Sequence, residues 1–196
     1  MARVSLRTAR VGGDLSLSGA SLTGDLDCFN IDVNSIVYLG GGADFAERID
    51  LEFAKLGGLQ LAGGVFHQDV NLTGTEIRGE LFLGARTQDP PRWPDGSGLL
   101  LRNAKADAIQ DRVAIRDDMK SWPSRLDLTG FAYQHLGGSG AAERDVREKG
   151  RPDSTSKAGA KTDSGASTTE SQEMADRGPA WFKQWLGNQA HSALRA

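Results

Sequence analysis

The chain has 196 residues, room for one ordinary domain and a tail. A formal net charge of −3 gives no broad attraction to nucleic acid or an anionic membrane, and 38% hydrophobic residues is lean for a fully globular core. With one cysteine, Cys28, there is no intrachain disulfide and no CxxC motif. The absence of an apolar leader or a spanning apolar run points to a cytoplasmic protein in a reducing compartment.

From Val4 onward, apolar pairs of the form φ-x-φ recur. They are Val4/Leu6, Leu15/Leu17, Leu26/Cys28, Val37/Leu39, Ile49/Leu51, Leu59/Leu61, Val70/Leu72 and Leu81/Leu83, at steps of 11, 11, 11, 12, 10, 11 and 11. A third apolar column precedes each pair: Val11, Leu22, Val33, Phe45, Leu56, Phe66 and Ile77. Strict alternation, as in Asp69-Val70-Asn71-Leu72-Thr73, is the pattern of a strand with one buried face and does not match helical spacing. Leu26, Leu51, Leu72 and Leu83 are expected to point inward. Asn71 should point outward, so that replacing it costs far less than replacing Leu72. Gly19, Gly41, Gly63 and Gly74, and also Gly13, Gly24, Gly58 and Gly79, sit between strands, where a positive φ is expected. Eleven residues are too few to encircle a core, so two units, 22 residues, form one coil. Stacked coils pair strand on strand about 4.8 Å apart.

The register loosens after Leu83. The segment from Thr87 to Ser97 holds Pro90, Pro91, Pro94 and Trp93 and is expected to be an excursion outside the coil wall. The pairs resume at Leu99/Leu101, Val113/Ile115 and Leu126/Leu128, giving about five coils and roughly 25 Å of stack. Residues 139–178 are almost devoid of apolar side chains and should be a disordered linker. In 179–196 an apolar stripe returns, with Trp181, Phe182, Trp185 and Leu186 on one face of an expected short amphipathic helix, and Pro179 suits its first position. These four residues are the candidate interaction site. Capping an open solenoid end is the favoured role, ahead of partner binding and of membrane-surface binding, for which Lys183 and Arg195 supply few cations.

The recurring Ala-x-φ-x-Gly-x-Leu-x-Leu-x-Gly, as in Ala20-Ser-Leu-Thr-Gly-Asp-Leu-Asp-Cys28, resembles bacterial short-repeat proteins often labelled "membrane-associated oxidoreductase". Leu126-Asp-Leu-Thr-Gly-Phe-Ala-Tyr133 and the later Trp185-Leu186 are similar to the end of their solenoid. The resemblance covers about residues 4–136 and, weakly, 179–187. It implies a β-solenoid and, through the label, a redox role, but no catalytic position to carry over. The chain departs from the group in starting mid-unit, in its polar insert and in stopping soon after Trp185-Leu186, as a truncated member would. The repeat is also pentapeptide-repeat-like, although 11 is not a multiple of five.

Residues able to do chemistry have structural readings beside them. Gly40-Gly41-Gly42 stands at a repeat turn, without the strand–Gly-rich loop–helix context of a dinucleotide site. Cys28 holds a core column position and should be a small buried hydrophobe. His67, His135 and His191 lack ligand spacing. Asp25/Asp27, Asp50/Glu52, Asp69 and Glu80 alternate along strands, as paired acids of a carbohydrate-active β-helix would, but a solvated outer face is the simpler expectation.

The sequence therefore predicts an all-β, single-stranded β-solenoid of about 11-residue half-coils over residues 1–138, followed by the linker (139–178) and the helix (179–196). The expected function is a non-catalytic scaffold that binds a protein partner or assembles end to end. The alternatives are an oxidoreductase or carbohydrate-active enzyme, and an inhibitor that mimics nucleic acid. No cofactor, metal or nucleic-acid partner is expected, the catalytic residues are unknown, and membrane association has little support.

Overall fold

A computed structural model describes residues 3–84, 89–111 and 121–136, together with Pro179, Ala180 and Lys183. The chain is a β-solenoid of about five turns. The first coil carries β1 (Val4–Ser5), β2 (Arg10–Val11), β3 (Leu15–Ser16) and β4 (Ser21–Leu22). The second carries β5 (Leu26–Asp27), β6 (Asp32–Tyr38) and β7 (Asp44–Phe45); the third carries β8 (Ile49–Asp50), β9 (Lys55–Gln60) and β10 (Val65–Phe66). The fourth carries β11 (Val70–Asn71) and β12 (Glu76–Phe82), and the fifth β13 (Gly98–Leu100) and β14 (Lys105–Gln110). A last partial coil carries β15 (Arg125–Asp127) and β16 (Ala132–Leu136).

Among the described residues every strand pairing is parallel, each strand with its counterpart one coil away, and the pairings make three walls. Wall one stacks β1-β5-β8-β11-β13-β15, wall two β2 and β3 with β6-β9-β12-β14-β16, and wall three β4-β7-β10. The register Val4↔Leu26↔Ile49↔Val70 is the two-unit coil expected from the repeat. Inside, the columns are dry: Leu26, Cys28, Val33, Leu51, Leu72 and Leu83 are each at most 1% exposed.

Four inward positions per unit are filled, not three. The additional column is Ile31, Ala43, Ala54, Thr75 and Ala104, each at most 1% exposed. These residues close tight corners in which the N–H of Ile31, Ala54, Thr75 and Ala104 donates to the carbonyl of Cys28, Leu51, Leu72 and Leu101. The residue before each closure has positive φ: Asn30, Phe53, Gly74 and Asn103. That is the third residue of a type II turn. At three of the four corners the side chain that follows is small, Ala54, Thr75 or Ala104, and at the other it is Ile31; all are buried between the coils.

Three expectations are corrected. Gly19, Gly41, Gly63 and Gly74 do have positive φ, but Gly13, Gly24, Gly58 and Gly79 do not. On wall two, Gly57 and Gly79 answer to close approach instead: a Cβ on Gly57 would lie 2.4 Å from the Asn34 carbonyl oxygen, and one on Gly79 2.6 Å from the Gly57 carbonyl oxygen. Within the proline-rich segment, Arg92 and Trp93 belong to the coil; Thr87 and Gln88 lie outside the described residues. Arg92 bridges Val65, accepting the Phe66 N–H and donating to the Gly64 carbonyl. Trp93 then extends the inward stack Phe45–Phe66–Trp93, with ring centroids 5.5 and 4.9 Å apart. The prolines enter and leave without needing ladder donors. Finally, the wall position after Leu99/Leu101 belongs to Ile109 and Asp111, because Leu81 pairs with Ile109. Asp111, 1% exposed, accepts the Trp122 indole N–H at 2.5 Å. Val113 and Ile115 lie outside the described residues.

Candidate functional site

Wall one is polar outside, but it is not the solvated face expected. Asp27 is 2% and Asn71 7% exposed. The cause is a turn repeated from coil to coil. The N–H two residues on donates to the side-chain oxygen in Phe29→Asp27 (3.3 Å), Glu52→Asp50 (3.0 Å), Thr73→Asn71 (3.2 Å) and Thr129→Asp127 (3.0 Å). Asp and Asn favour this local bond because their short side chains mimic a turn carbonyl.

Side chains then tie coil to coil. Arg7 donates to both Asp27 oxygens at 3.1 Å, and Arg3 also pairs with Asp27. Asn71 donates to Glu52 at 2.8 Å, and Arg102 pairs with Asp127 at 2.8 Å. Arg125 reaches past a whole coil to Asp69. It can do so because the intervening residue is Gly98, whose added Cβ would stand 3.0 Å from both groups. Burial by itself raises the Asp27 carboxyl pKa. The Phe29 N–H and the Arg7 and Arg3 guanidiniums outweigh it and hold the group below the usual carboxylate range. Asp127 is held low in the same balance, burial against Thr129 and Arg102.

Asp25 stays exposed while Asp27 is buried under two guanidiniums, so the two do not form a pair of free acids. Basic and acidic side chains interleave along the wall and form no continuous acidic face. Cys28 is buried, and desolvation, with Asp27 and Asp50 nearby, pushes its thiol up to about 12. This is an inert core thiol, as expected. His67 is exposed and lies 3.1 Å from Asp44; His135 is exposed, and His191 lies outside the described residues. Among the described residues no group of three His, Cys, Asp or Glu is placed to hold a metal ion.

Wall two carries a cavity. A shallow groove of about 330 Å3 opens over Gly57 and Gly58 between Ile36 and Glu80, with Tyr38, Gln60 and Phe82 along one side. Tyr38, Gln60 and Phe82 are register partners on three successive coils. The recess exists because Gly58, the partner of Ile36, has no side chain. Ile36 is 37% exposed. Glu80 was a sequence candidate; the aromatic pair was not. Its signal lies in the middle residues of the φ-x-φ pairs, where Tyr38 and Phe82 stand two coils apart in phase.

The expected interaction residues Trp181, Phe182, Trp185 and Leu186 lie outside the described residues. Pro179, Ala180 and Lys183 have helical backbone. No family model, curated protein or solved structure matches the chain.

Proposed function

We propose that the chain is a non-catalytic scaffold, a rigid solenoid that presents an outer wall to a protein partner in the cytoplasm. The observation that supports this reading best is the groove of wall two, where Ile36, Tyr38 and Phe82 surround a glycine floor. Here Ile36 is exposed and Tyr38 and Phe82 are half-exposed, and aromatic and aliphatic side chains around a recess are the usual anchors of an interface. The cross-coil bonds of wall one favour the same role, since a pre-ordered surface loses little entropy on binding. The C-terminal stripe of Trp181, Phe182, Trp185 and Leu186 is a second contact element in this proposal.

The test compares partners retained by the intact chain with those retained by a Tyr38→Ala/Phe82→Ala variant of unchanged thermal midpoint. Loss of a specific partner in the variant is expected. Identical partner sets, or a purified chain with a stoichiometric flavin or nicotinamide spectrum, would overturn the reading; the latter would favour the redox role that the resemblance implies.

End-to-end assembly is a second reading, favoured by the first coil. Leu6, Val11, Leu15, Leu17 and Leu22 are only partly covered, whereas their counterparts in the next coil, Cys28, Val33, Val37, Leu39 and Phe45, are each 1% exposed or less. Half-exposed leucines on the side of a coil are, in this reading, a template for a coil of a second chain. Concentration-dependent sedimentation would distinguish this from partner binding.

A further inference from the structure

The geometry points to an arginine side chain of the partner as the occupant of the wall-two groove, an inference that rests on the scaffold reading above. The groove has an apolar end, Ile36, and an anionic end, Glu80, separated by the side-chain-free step at Gly58. Two coils separate those ends, about 9.6 Å, which suits an extended side chain with an apolar stem and a charged head. The rings of Tyr38 and Phe82 line the flank. Aromatic rings beside a carboxylate favour a guanidinium, which can stack on a ring and fork onto a carboxylate, over a compact ammonium. The volume of about 330 Å3 lies at the low end for a binding site and suits one side chain better than a whole cofactor.

Charge around the groove complements such a ligand. Two outward columns border it. One runs Asp14, Ile36, Gly58, Glu80 and Ala108, the other Ser16, Tyr38, Gln60, Phe82 and Gln110. Together they hold two carboxylates and, among the described residues, no Lys or Arg. Arg78, two residues before Glu80 on the same strand, is engaged elsewhere: it donates to the Val33 carbonyl at 3.0 Å and stands 3.8 Å from Asp32. Glu80 has other interactions within the protein, but a carboxylate has about four acceptor sites and can take a further donor.

The test is a titration of the full chain, followed through its backbone amide resonances, with a neutral-ended pentapeptide, acetyl-Gly-Gly-Arg-Gly-Gly-amide. The expected result is saturable shifts centred on Gly57, Gly58 and Gln60. Replacing Arg by citrulline, which keeps the shape and removes the charge, should weaken binding at least about tenfold. Glu80→Gln should do the same while leaving the spectrum outside the groove unchanged, which confirms that the variant is folded. Tyr38→Ala is a second variant with the same expected loss. Equal binding of the citrulline peptide would overturn the arginine assignment and leave the wall a docking surface without charge preference. Shifts that never saturate, or that fall elsewhere, would overturn the site, while the partner comparison above decides the scaffold reading separately.

Discussion

Asn71 shows how a residue that points away from the core can still be structural. It donates to Glu52 and accepts from both the Thr73 N–H and the Thr73 hydroxyl. Alternation places it outward, as expected, but its exposure of 7% comes from a turn and a neighbouring coil that alternation does not encode. Replacing it with Ala leaves the half-buried Glu52 and Thr73 without this partner and should lower stability by about 1 kcal/mol. Leu72→Ala opens a cavity between coils and should lower it by about 2–5 kcal/mol. Urea denaturation of the two variants checks both; a neutral Asn71→Ala would mean the turn ladder is dispensable. The Cys28 thiol should resist a disulfide reagent at pH 8 in the native protein and react on unfolding, since burial keeps it protonated. Fast native labelling would place it outside the core.

The carboxylates of wall one also set a pH dependence. Asp27 and Asp127 have folded pKa values below their ordinary ones. Their contribution to stability is therefore complete above the unfolded carboxyl pKa of about 3.9 and disappears as pH falls through the lower folded values. The thermal midpoint should drop steeply below about pH 4. In Asp27→Asn and Asp127→Asn it should start lower at neutral pH and fall less on acidification. A wild-type acid limb no steeper than that of the variants would mean that these ion pairs contribute nothing to folding.

At the scale of the element, the corner turn is the unit that builds the coil. Its third residue needs a left-handed backbone, which glycine adopts freely and which costs other residues about 1–2 kcal/mol. At Gly74 a Cβ would also stand 2.6 Å from the Phe53 ring, so Gly74→Ala should destabilise by at least about 1 kcal/mol. Thr8, β-branched at φ 56°, is the opposite case: Thr8→Gly should be neutral or stabilising by up to about 1 kcal/mol. A destabilising Thr8→Gly would show that the hydroxyl bond from Thr8 to the Arg7 carbonyl outweighs the strain.

The φ-x-φ pairs and the third column were legible because burial of large side chains repeats with the coil. The small fourth column was harder to see, since Ala43, Ala54 and Ala104 carry little hydrophobic signal and their burial follows from corner geometry. Trp93 was misassigned because prolines dominate the local pattern, while the pairing of Arg92 with Val65 is set by a coil 27 residues earlier in the chain. Of the groove, Glu80 stood out as an outward carboxylate. The recess itself needed register, because it is the absence of a side chain at Gly58 between partners on adjoining coils that makes it.

For the whole molecule, stacking makes stability and surface presentation one property. Each coil is held by its neighbours through parallel ladders, the inward columns and, on wall one, the ion pairs, as nearest-neighbour stacking requires. Wall two presents residues of three coils together, Tyr38, Gln60 and Phe82, whose spacing is fixed by backbone pairing and not by loop conformation. The central claim is thus the coil register itself. Cysteine pairs placed on the outer face of wall two test it directly, with the buried Cys28 left in place. Asp32 pairs with Lys55, and Lys55 with Glu76. Asp32→Cys with Lys55→Cys should form a disulfide under mild oxidation, because neighbouring strands lie about 4.8 Å apart, within bridging range. Asp32→Cys with Glu76→Cys, two coils apart at about 9.6 Å, should remain reduced. Rapid bridging of the second pair, or none of the first, would contradict the solenoid register on which the groove and the scaffold depend.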